Sequence, residues 1–208
     1  MPLLIYHITH LDNLAAIVQC GGLLSNTLLQ RRNQPFRDIS FGNIQDRRAS
    51  KTVPCAAKGV LHDYVPFYFA PRSPMLYTIH RGNVPNYQGG QAAVLHLVTT
   101  VEAVSESELV FTFTDGHAVM DYSDFYEDLD NLRMIDWEVM ESKYWADRDD
   151  DPNRKCKRQA EFLIHNSFPW GLIQEIGVIN QSVRAEVCQI LQQVNDFTPV
   201  HIYPNWYY

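Results

Sequence analysis

A single glutamate interrupts an apolar strand pattern late in the chain. Glu161 lies in the run 160–164, where strand alternation places it on the same face as Leu163 and His165. A basic run, residues 154–158, precedes it. A carboxylate in this setting either stabilises developing positive charge in a site or simply faces solvent. The pattern alone leaves both interpretations open.

A second group of polar residues lies near the N-terminus, in residues 6–10. His7 and Thr9 offer both hydrogen-bond donors and acceptors, as binding of ribose hydroxyls requires. The alternative is an ordinary polar strand edge, which this pattern also fits.

A third group combines arginines with aromatic residues. Arg47 and Arg48 are adjacent, and the aromatic run 67–69 is followed by Arg72. Guanidinium groups bind phosphates bidentately, and aromatic rings stack on nucleic-acid bases. The pattern indicates either a single-stranded nucleic-acid site or a solvated loop beside a core strand.

Apolar patterns predict the elements that position these residues. Strands are expected at 3–9, 65–72, 92–98, 109–114, 160–164, 173–179 and 200–203, and helices at 14–18, from Pro74 onward and at 182–194. Segment 25–54 is expected to be irregular, and 121–151 to contain short helices and a loop. Many short strands with few helices predict an α+β fold with a largely antiparallel sheet.

Composition fits one domain over residues 1–208. The chain is 46% hydrophobic and 12% aromatic, enough for a sizeable core. Its formal net charge is −7, from 17 Lys and Arg against 24 Asp and Glu. That balance excludes nucleic-acid binding by bulk positive charge, so any such contact must be local.

Several common functional sites lack their sequence signals. The four cysteines are scattered without a Cys-x-x-Cys pair, which argues against zinc-ribbon and thioredoxin-like sites. Walker, Rossmann and serine-hydrolase motifs are not found in the sequence. His62 and Asp63 have no identifiable further metal ligands, so no metal is expected.

The sequence also bears on location. It contains no run of about 18 apolar residues, so no membrane association is expected. The N-terminal residues show neither a basic leader nor a small-residue cleavage site, so a signal peptide is not expected. The expected compartment is the cytoplasm.

Three segments together resemble the DarT family of DNA ADP-ribosyltransferases, the toxins of bacterial toxin–antitoxin pairs. They are residues 6–14 (YHITHLDNL), 60–77 (VLHDYVPFYFAPRSPMLY) and 157–163 (KRQAEFL). They occur in the family's order, and the middle segment is long enough to be specific.

The resemblance implies an ADP-ribosyltransferase-like fold, in which two small, mostly antiparallel sheets with flanking helices form a cleft for NAD. It implies a glycosyltransferase reaction that moves ADP-ribose from NAD to a base of single-stranded DNA, most often thymine, and releases nicotinamide. It also implies a partner, a macrodomain-containing antitoxin that removes the modification.

The resemblance further assigns roles to individual residues. The implied catalytic residues are Glu161 and Arg48; the implied NAD-binding residues are His7, Ile8, Thr9, Asn13 and Arg47; the implied DNA-binding residues are Tyr68, Arg72, Met75, His117, Arg154, Lys155 and Arg158. Which of the two adjacent arginines is the functional one stays open.

Physical chemistry restricts the two catalytic roles. Cleavage of the bond from ribose to nicotinamide builds positive charge on the sugar, which a carboxylate bound to the 2′-hydroxyl stabilises in the transition state. In family accounts an arginine removes the proton from the thymine ring nitrogen. Because arginine stays charged below a pKa of about 12, we favour stabilisation of the deprotonated base by charge-assisted hydrogen bonds.

The region 121–151 holds twelve carboxylates, which would repel DNA if they lined its groove. We therefore expect this region to face away, leaving the cations of 154–158 to meet the strand. A solvated, solubilising face is the simpler interpretation of the acidic run.

Other functions remain open at this stage. Within enzymes, the alternative is an ADP-ribosyltransferase that acts on guanine in DNA, on RNA or on protein. From a different class, the chain could be a non-catalytic module that binds single-stranded nucleic acid.

Overall fold

The largest element of the computed structural model, which describes residues 2–208, is an eight-stranded sheet. Met1, the first residue of the N-terminal stretch considered above, lies outside the described residues. The strands are β1 (Leu4–His10), β2 (Gly22–Leu24), β3 (Tyr64–Tyr68), β4 (Val94–Thr100), β5 (Phe111–His117), β6 (Phe125–Tyr126), β7 (Ala160–His165), β8 (Ser167–Pro169), β9 (Glu175–Val178) and β10 (Val200–Ile202). The helices are α1 (Leu14–Gln19), α2 (Asn26–Arg31), α3 (Gly42–Ser50), α4 (Pro74–His80), α5 (Val101–Glu106), α6 (Trp137–Glu141), α7 (Arg154–Lys157) and α8 (Gln181–Gln193).

The strand order in the large sheet is β10-β9-β4-β1-β3-β7-β5-β6, and β2 pairs with β8 in a separate two-stranded sheet. All registered pairs are antiparallel except β9 with β10. The α+β class and the largely antiparallel pairing are therefore confirmed. Among the described residues, no helix has the length and apolar character that a membrane crossing requires.

The large sheet is split between β1 and β3. β1 pairs with β4 along its whole length, but its only registered pair with β3 joins Tyr6 to Tyr68. One side-chain bond also crosses the split, between His7 Nδ1 and the Pro66 carbonyl at 2.8 Å. Two sheets were expected around a cleft; the structure joins them at this narrow contact, and the cleft is a split within one sheet.

The core holds β7 firmly in place. Phe67, Phe113 and Phe162 are fully buried, and the last two rings stack in parallel with centroids 6.1 Å apart. Full burial of each such ring stabilises the fold by about 1.5–3 kcal/mol. The strand that carries Glu161 is therefore a rigid support.

Helix α8 matches its predicted position, and its sequence shows why. Asn180 caps it by accepting a hydrogen bond from the Val183 N–H at 3.0 Å. Val183, Val187 and Leu191 recur every four residues and form its buried face. The prediction of a helix that starts at Pro74 is also confirmed by α4, which Ser73 caps.

The expectation of an irregular segment over 25–54 is wrong, because α2 and α3 lie within it. Helix α2 has a serine cap, Ser25, whose hydroxyl accepts from the Leu28 N–H at 3.4 Å. Helix α3 is strongly polar and buries a single side chain, that of Arg48. A helix of this kind has no apolar periodicity for a sequence reading to detect.

Strand β5 was expected to end before Asp115, but it continues to His117. An irregularity in the β5–β7 register lies between Phe113 and His117 and includes Asp115 and Gly116. Such bulges redirect side chains next to functional sites. Here the extension pairs His117 with Ala160, the neighbour of Glu161 in β7.

Candidate active site

A cavity lies at the split between β1 and β3. Its wall brings together nine residues singled out from the sequence, namely His7, Ile8, Thr9, Asn13, Arg48, Tyr68, Met75, His117 and Glu161. They come from β1, α3, β3, α4, β5 and β7 and the turn after β1, so the fold assembles residues up to 154 positions apart in the sequence.

Glu161 forms the base of this cavity. Its side chain is buried, with 2% of the residue exposed. The carboxylate accepts hydrogen bonds from Arg48 Nη1 at 2.7 Å and from the Ala118 N–H at 3.3 Å, and it lies 3.4 Å from His117 Nδ1. The Glu161 N–H donates to Thr114 Oγ1 at 3.1 Å. Side chain and backbone are thus both held in place.

The carboxylate is ionised at neutral pH. Burial by itself raises the pKa of Glu161, but the charge of Arg48 and the contact with His117 lower it to about 2. A buried, ionised carboxylate in a cavity stabilises a nearby cation strongly, because little water screens the interaction.

Arg48 is the cation that faces Glu161. It is the single buried residue of α3, and its Nη2 has no hydrogen-bond acceptor among residues 2–208. An arginine donor rarely stays unpaired when it is buried. Arg48 therefore lines the cavity with one buried donor, Nη2, unpaired while its Nη1 is fixed on the carboxylate.

His7 lies on the opposite side of the split. Its Nδ1 must carry the proton, since its partner is the Pro66 carbonyl, which only accepts. Burial lowers the pKa of His7 to about 4, so the ring is neutral at pH 7. Its Nε2 is therefore a hydrogen-bond acceptor, the group that a ribose hydroxyl or an amide N–H needs.

Thr9 and Asn13 organise the loop that covers the cavity. Asn13 Nδ2 donates to Thr9 Oγ1 at 3.2 Å and to the Arg37 carbonyl at 2.9 Å, while Asn13 Oδ1 accepts from the Arg37 N–H at 2.6 Å. Both ends of the Asn13 amide are thus engaged. The geometry fits a residue that positions segment 34–41 more closely than one that binds a ligand directly.

That segment is the part of the wall that sequence reasoning missed. Residues 34–41 line the cavity from Gln34 to Phe41, although they were assigned only to an irregular region. Its length without regular structure is the one available signal, because loops of this kind are often functional. No residue type within it indicated which site it covers.

Tyr68 and Met75 form the side of the cavity near α4. Tyr68 is the register partner of Glu161, and burial together with the Glu161 charge raises the pKa of its phenol. Tyr68 thus stays neutral and provides an aromatic surface beside the carboxylate. Met75 adds an adaptable apolar contact.

Comparisons with known proteins agree with this geometry. The family described as "ssDNA thymidine ADP-ribosyltransferase, DarT" matches residues 6–208. A DNA ADP-ribosyl transferase of Thermus aquaticus is 46% identical over 210 residues, covering 100% of this chain and 90% of the relative. The chain belongs to the DarT family. It is an NAD-dependent DNA ADP-ribosyltransferase.

Solved structures of a relative show the same fold. The Thermus sp. 2.9 DarT in complex with ADP-ribosylated ssDNA superposes with a TM-score of 0.93 and 47% identity, covering 100% of this chain and 97% of the other. The complex of that protein with NAD+ gives a TM-score of 0.89 at 44% identity, covering 100% and 98%. A more distant relative is a DNA ADP-ribosyl transferase–DNA ADP-ribosyl glycohydrolase fusion protein of Thermosipho africanus, 25% identical over 92% of this chain and 46% of the fusion.

The residues present fit NAD. Arg48 has a buried, unpaired donor for an acceptor group, and the neutral ring of His7 offers an acceptor for a hydroxyl or amide. Ile8 lies between His7 and Thr9 on β1 and lines the cavity beside them. Residues 2–208 contain no cluster of three or more His, Cys, Asp or Glu side chains arranged to hold a metal ion.

Arg47 lies outside the cavity wall, unlike its neighbour. Its Nη2 donates to the Val119 carbonyl at 3.0 Å. Four residues later in the chain, the Lys51 ammonium pairs with Asp121 at 2.7 Å. Arg47 and Lys51 therefore hold the segment that follows β5, next to His117 and Ala118, which contact Glu161. The geometry fits a positioning role for Arg47 and leaves the cavity to Arg48.

The structure places Arg158, which was expected to meet DNA, among backbone carbonyls. Its guanidinium is buried and donates to the carbonyls of Val139 at 2.6 Å, Ser142 at 3.2 Å and Met140, and to the Arg72 carbonyl at 3.2 Å. Burial lowers the pKa of Arg158 to about 10, which still leaves it charged at pH 7. Its Nε and Nη1 hold backbone carbonyls of Arg72 and of segment 139–142.

Arg154, also expected to meet DNA, is placed in a similar way. It is 4% exposed and donates to Ser142 Oγ at 3.0 Å and to the Tyr144 carbonyl at 3.2 Å, with Asp151 3.6 Å away. Lys157 pairs with Asp136 and Asp151 at 3.1 and 3.0 Å. These cations fasten the acidic region 121–151 to the fold.

Arg72 and Lys155 occupy a different place from the other predicted DNA contacts. Both line a second cavity next to the first. Lys155 is exposed, while Arg72 stacks its guanidinium 4.3 Å from the centre of the Tyr208 ring. Of the cations in 154–158, only Lys155 thus keeps an exposed charged group without an ion-pair partner among residues 2–208.

Proposed function

We propose that this chain transfers ADP-ribose from NAD to a thymine base of single-stranded DNA and releases nicotinamide, as the toxin of a toxin–antitoxin pair. The observation that carries the proposal is Glu161, an ionised carboxylate buried at the base of the cavity and clamped by Arg48. The family's description supports thymidine in single-stranded DNA as the acceptor.

Glu161 acts on the sugar. As the bond from ribose C1′ to the nicotinamide nitrogen breaks, its electron pair leaves with neutral nicotinamide, and the ribose gains oxocarbenium character. The carboxylate accepts a hydrogen bond from the ribose 2′-hydroxyl, which strengthens as the positive charge grows. An electrostatic group of this kind contributes about 10²–10³ in rate.

The two walls of the cavity divide the binding work. His7, Ile8 and Thr9 on β1 hold NAD, with His7 Nε2 accepting from the ribose or the carboxamide. Asn13 takes part by positioning segment 34–41 over NAD. Arg47 acts in a similar way on the other side, by fixing the turn after β5.

The wall opposite β1 receives the base. Tyr68, Met75 and His117 surround Glu161 on the side toward α4, where the thymine enters. The ring nitrogen gives its proton to solvent water as it forms the bond to C1′, and Nη2 of Arg48 stabilises the negative charge that develops on the base by a hydrogen bond to a ring carbonyl oxygen. Arginine acts here as a donor and not as a base, because it stays charged.

The partner is a macrodomain-containing antitoxin that removes ADP-ribose from DNA. Support comes from the Thermosipho africanus relative, in which the transferase is fused to a DNA ADP-ribosyl glycohydrolase. Because both NAD and the chromosome are in the bacterial cytoplasm, the chain acts there. One domain, residues 1–208, carries the activity; strands from both ends of the chain, β1 and β10, belong to the same sheet, which supports this assignment.

Mass spectrometry of oligonucleotides tests the proposal. The chain is incubated with NAD and single-stranded oligonucleotides of matched length, one with a single thymine and one in which cytosine replaces it. We expect one ADP-ribose adduct on the thymine oligonucleotide, none on its control, and an equal amount of free nicotinamide.

The other outcomes separate the alternatives. An adduct that depends on guanine would move the acceptor to that base, and label on RNA or on protein would assign a different substrate class. Binding of the oligonucleotide with no turnover of NAD would contradict the enzyme and support a non-catalytic module.

A further inference from the structure

The second cavity has a volume of about 540 Å³, within the range of pockets that bind small organic groups. Pro74, Tyr77 and Thr78 of α4 line it, whereas Met75 of the same helix lines the active-site cavity. Its lining combines aromatic rings and cations from three parts of the chain. The residues that matter here are Arg72, Tyr77, Lys143, Tyr144, Trp145 and Lys155.

The two cavities are immediate neighbours. At the start of α4, Pro74 lines the second cavity and Met75 lines the first. On the other side, Lys155 lines the second and Gln159 the first, and the Gln159 Nε2 donates to the Lys155 carbonyl at 3.1 Å. The linings of the two cavities therefore meet at the beginning of α4 and along residues 155–159.

Aromatic surfaces dominate the second cavity. Tyr77 is 39% exposed and Tyr144 is 78% exposed, unusually high for such large rings. Edge-to-face contacts hold Tyr77 against Trp145 and Tyr208, with ring centres 5.6 and 5.0 Å apart. Trp145 is fixed in turn by its Nε1–H bond to the Tyr208 hydroxyl at 2.9 Å. The cavity thus presents open aromatic rings on a rigid support.

Its charge favours an anion, in contrast to the chain's net charge of −7. Its lining contains three cations, Arg72, Lys143 and Lys155, and one carboxylate side chain, that of Asp147. The Asp147 carboxylate accepts a hydrogen bond from the Lys155 N–H at 2.7 Å. Within residues 2–208, neither lysine ammonium takes part in an ion pair. The Lys143 ammonium lies 5.7 Å from the centre of the Tyr144 ring, so a cation and an open aromatic ring lie side by side.

A flanking nucleotide has the chemistry that this cavity fits. Bases stack on exposed aromatic rings whatever their sequence, and phosphates bind cations at close range. We propose that the second cavity is a subsite for a nucleotide adjacent to the modified base, whose base stacks on Tyr144 and Tyr77 and whose phosphate contacts Lys155 and Lys143. This inference rests on the proposed function, since it requires single-stranded DNA as the acceptor.

The acidic region 121–151 then also contributes to this subsite. Arg154 donates to the Tyr144 carbonyl, and Arg158 to the Ser142 carbonyl. These buried arginines position the backbone on both sides of Lys143. They act on the DNA indirectly, by presenting Tyr144 to the strand.

A comparison of substrate lengths tests the subsite. The KM for transfer is measured with an oligonucleotide that has nucleotides on both sides of the target thymine, and with versions truncated on one side or the other or carrying an abasic neighbour. For the unchanged chain, loss of the neighbouring base on one side raises KM by about 10-fold, the size of one stacking contact. Tyr144→Ala raises KM for the full oligonucleotide by the same factor and has no further effect on the abasic one.

Two further measurements complete the test. Phe197→Ala removes an 84% exposed aromatic ring outside both cavities, and it leaves all KM values unchanged. Lys155→Ala lowers the slope of log affinity against log salt concentration by about 0.7, as expected for one lost phosphate contact to a single strand.

The failures are distinguishable. If the unchanged chain modifies no oligonucleotide, the proposed function fails. If it modifies the oligonucleotides but Tyr144→Ala behaves like the unchanged chain at every length, the subsite is wrong while the proposed function stands.

Discussion

Two regions of this molecule bury arginines, and they do so for different purposes. In the active-site cavity, Arg48 pairs with one carboxylate, Glu161, and keeps a donor free. In the segment 154–158, the Arg158 guanidinium donates to four backbone carbonyls. The difference teaches that burial and charge do not identify a functional arginine. What sets Arg48 apart is an unpaired donor on a guanidinium that is also paired with a carboxylate of the cavity wall.

The largest expected effects come from the same substitution in the two regions. Arg48→Lys keeps the charge but loses the planar pair of donors, so we expect kcat for DNA modification to fall about 100-fold with little change in the thermal midpoint. Arg158→Lys leaves carbonyls without partners, so we expect it to lower the free energy of unfolding by on the order of 3 kcal/mol. Steady-state kinetics and urea unfolding of both variants give the comparison.

The comparison of Arg48 with Arg158 is contradicted if the loss of kcat appears at Arg158 or is missing at Arg48. A loss of kcat by 100-fold in a stable Arg158→Lys protein would return that residue to the DNA interface. Full transfer by Arg48→Lys would show that charge suffices and that donor geometry does not matter.

Acid titration also separates the two regions. Burial lowers the pKa of His7 from 6.5 to about 4, so as the pH falls the unfolded chain binds a proton before the folded chain does. The free energy of unfolding therefore decreases between pH 6.5 and 4, by up to about 1.4 kcal/mol per pH unit for one such group. His7→Gln should flatten this slope by about one proton in urea unfolding at pH 7, 6 and 5.

Arg158→Lys is the control for that titration, because backbone carbonyls do not titrate. It should shift the whole curve downward and leave its slope unchanged. An unaltered slope in His7→Gln would mean that the buried ring is not the group that titrates.

The smallest effect is expected at Arg47. Its contact with the Val119 carbonyl is partly exposed, and the turn it holds has a second tether at Lys51. Arg47→Ala should lower kcat by roughly 3- to 10-fold, about 1 kcal/mol of positioning, without changing KM for NAD. A loss as large as that of Arg48→Lys would place Arg47 in direct contact with substrate.

Sequence reasoning succeeded where apolar patterning determines structure. The apolar run around Glu161 predicts β7, and the structure buries each of residues 160–164. The four-residue spacing of Val183, Val187 and Leu191 predicts α8. The cavity itself could be predicted from the sequence only through the family resemblance. No local pattern reveals that β1 and β3 separate after one pair, since that depends on contacts distant in the sequence.

The errors share a physical cause. Helix α3 is polar and buries one arginine, so periodicity could not detect it. Arg154 and Arg158 look like DNA-binding residues in a basic run, yet their partners are backbone carbonyls and side chains of 138–151 that only the folded chain brings close. Composition shows which groups are charged, but it does not show which of them already have partners.

The account depends most on the ionised carboxylate of Glu161, and Glu161→Gln tests it directly. The variant keeps the size of the side chain and loses its charge. Single-turnover transfer onto a thymine oligonucleotide is measured together with NAD affinity by calorimetry and folding by circular dichroism. We expect a folded protein that binds NAD within a few-fold of the unchanged chain and transfers ADP-ribose about 10²–10³ more slowly. Transfer within a few-fold of the unchanged rate would contradict the account.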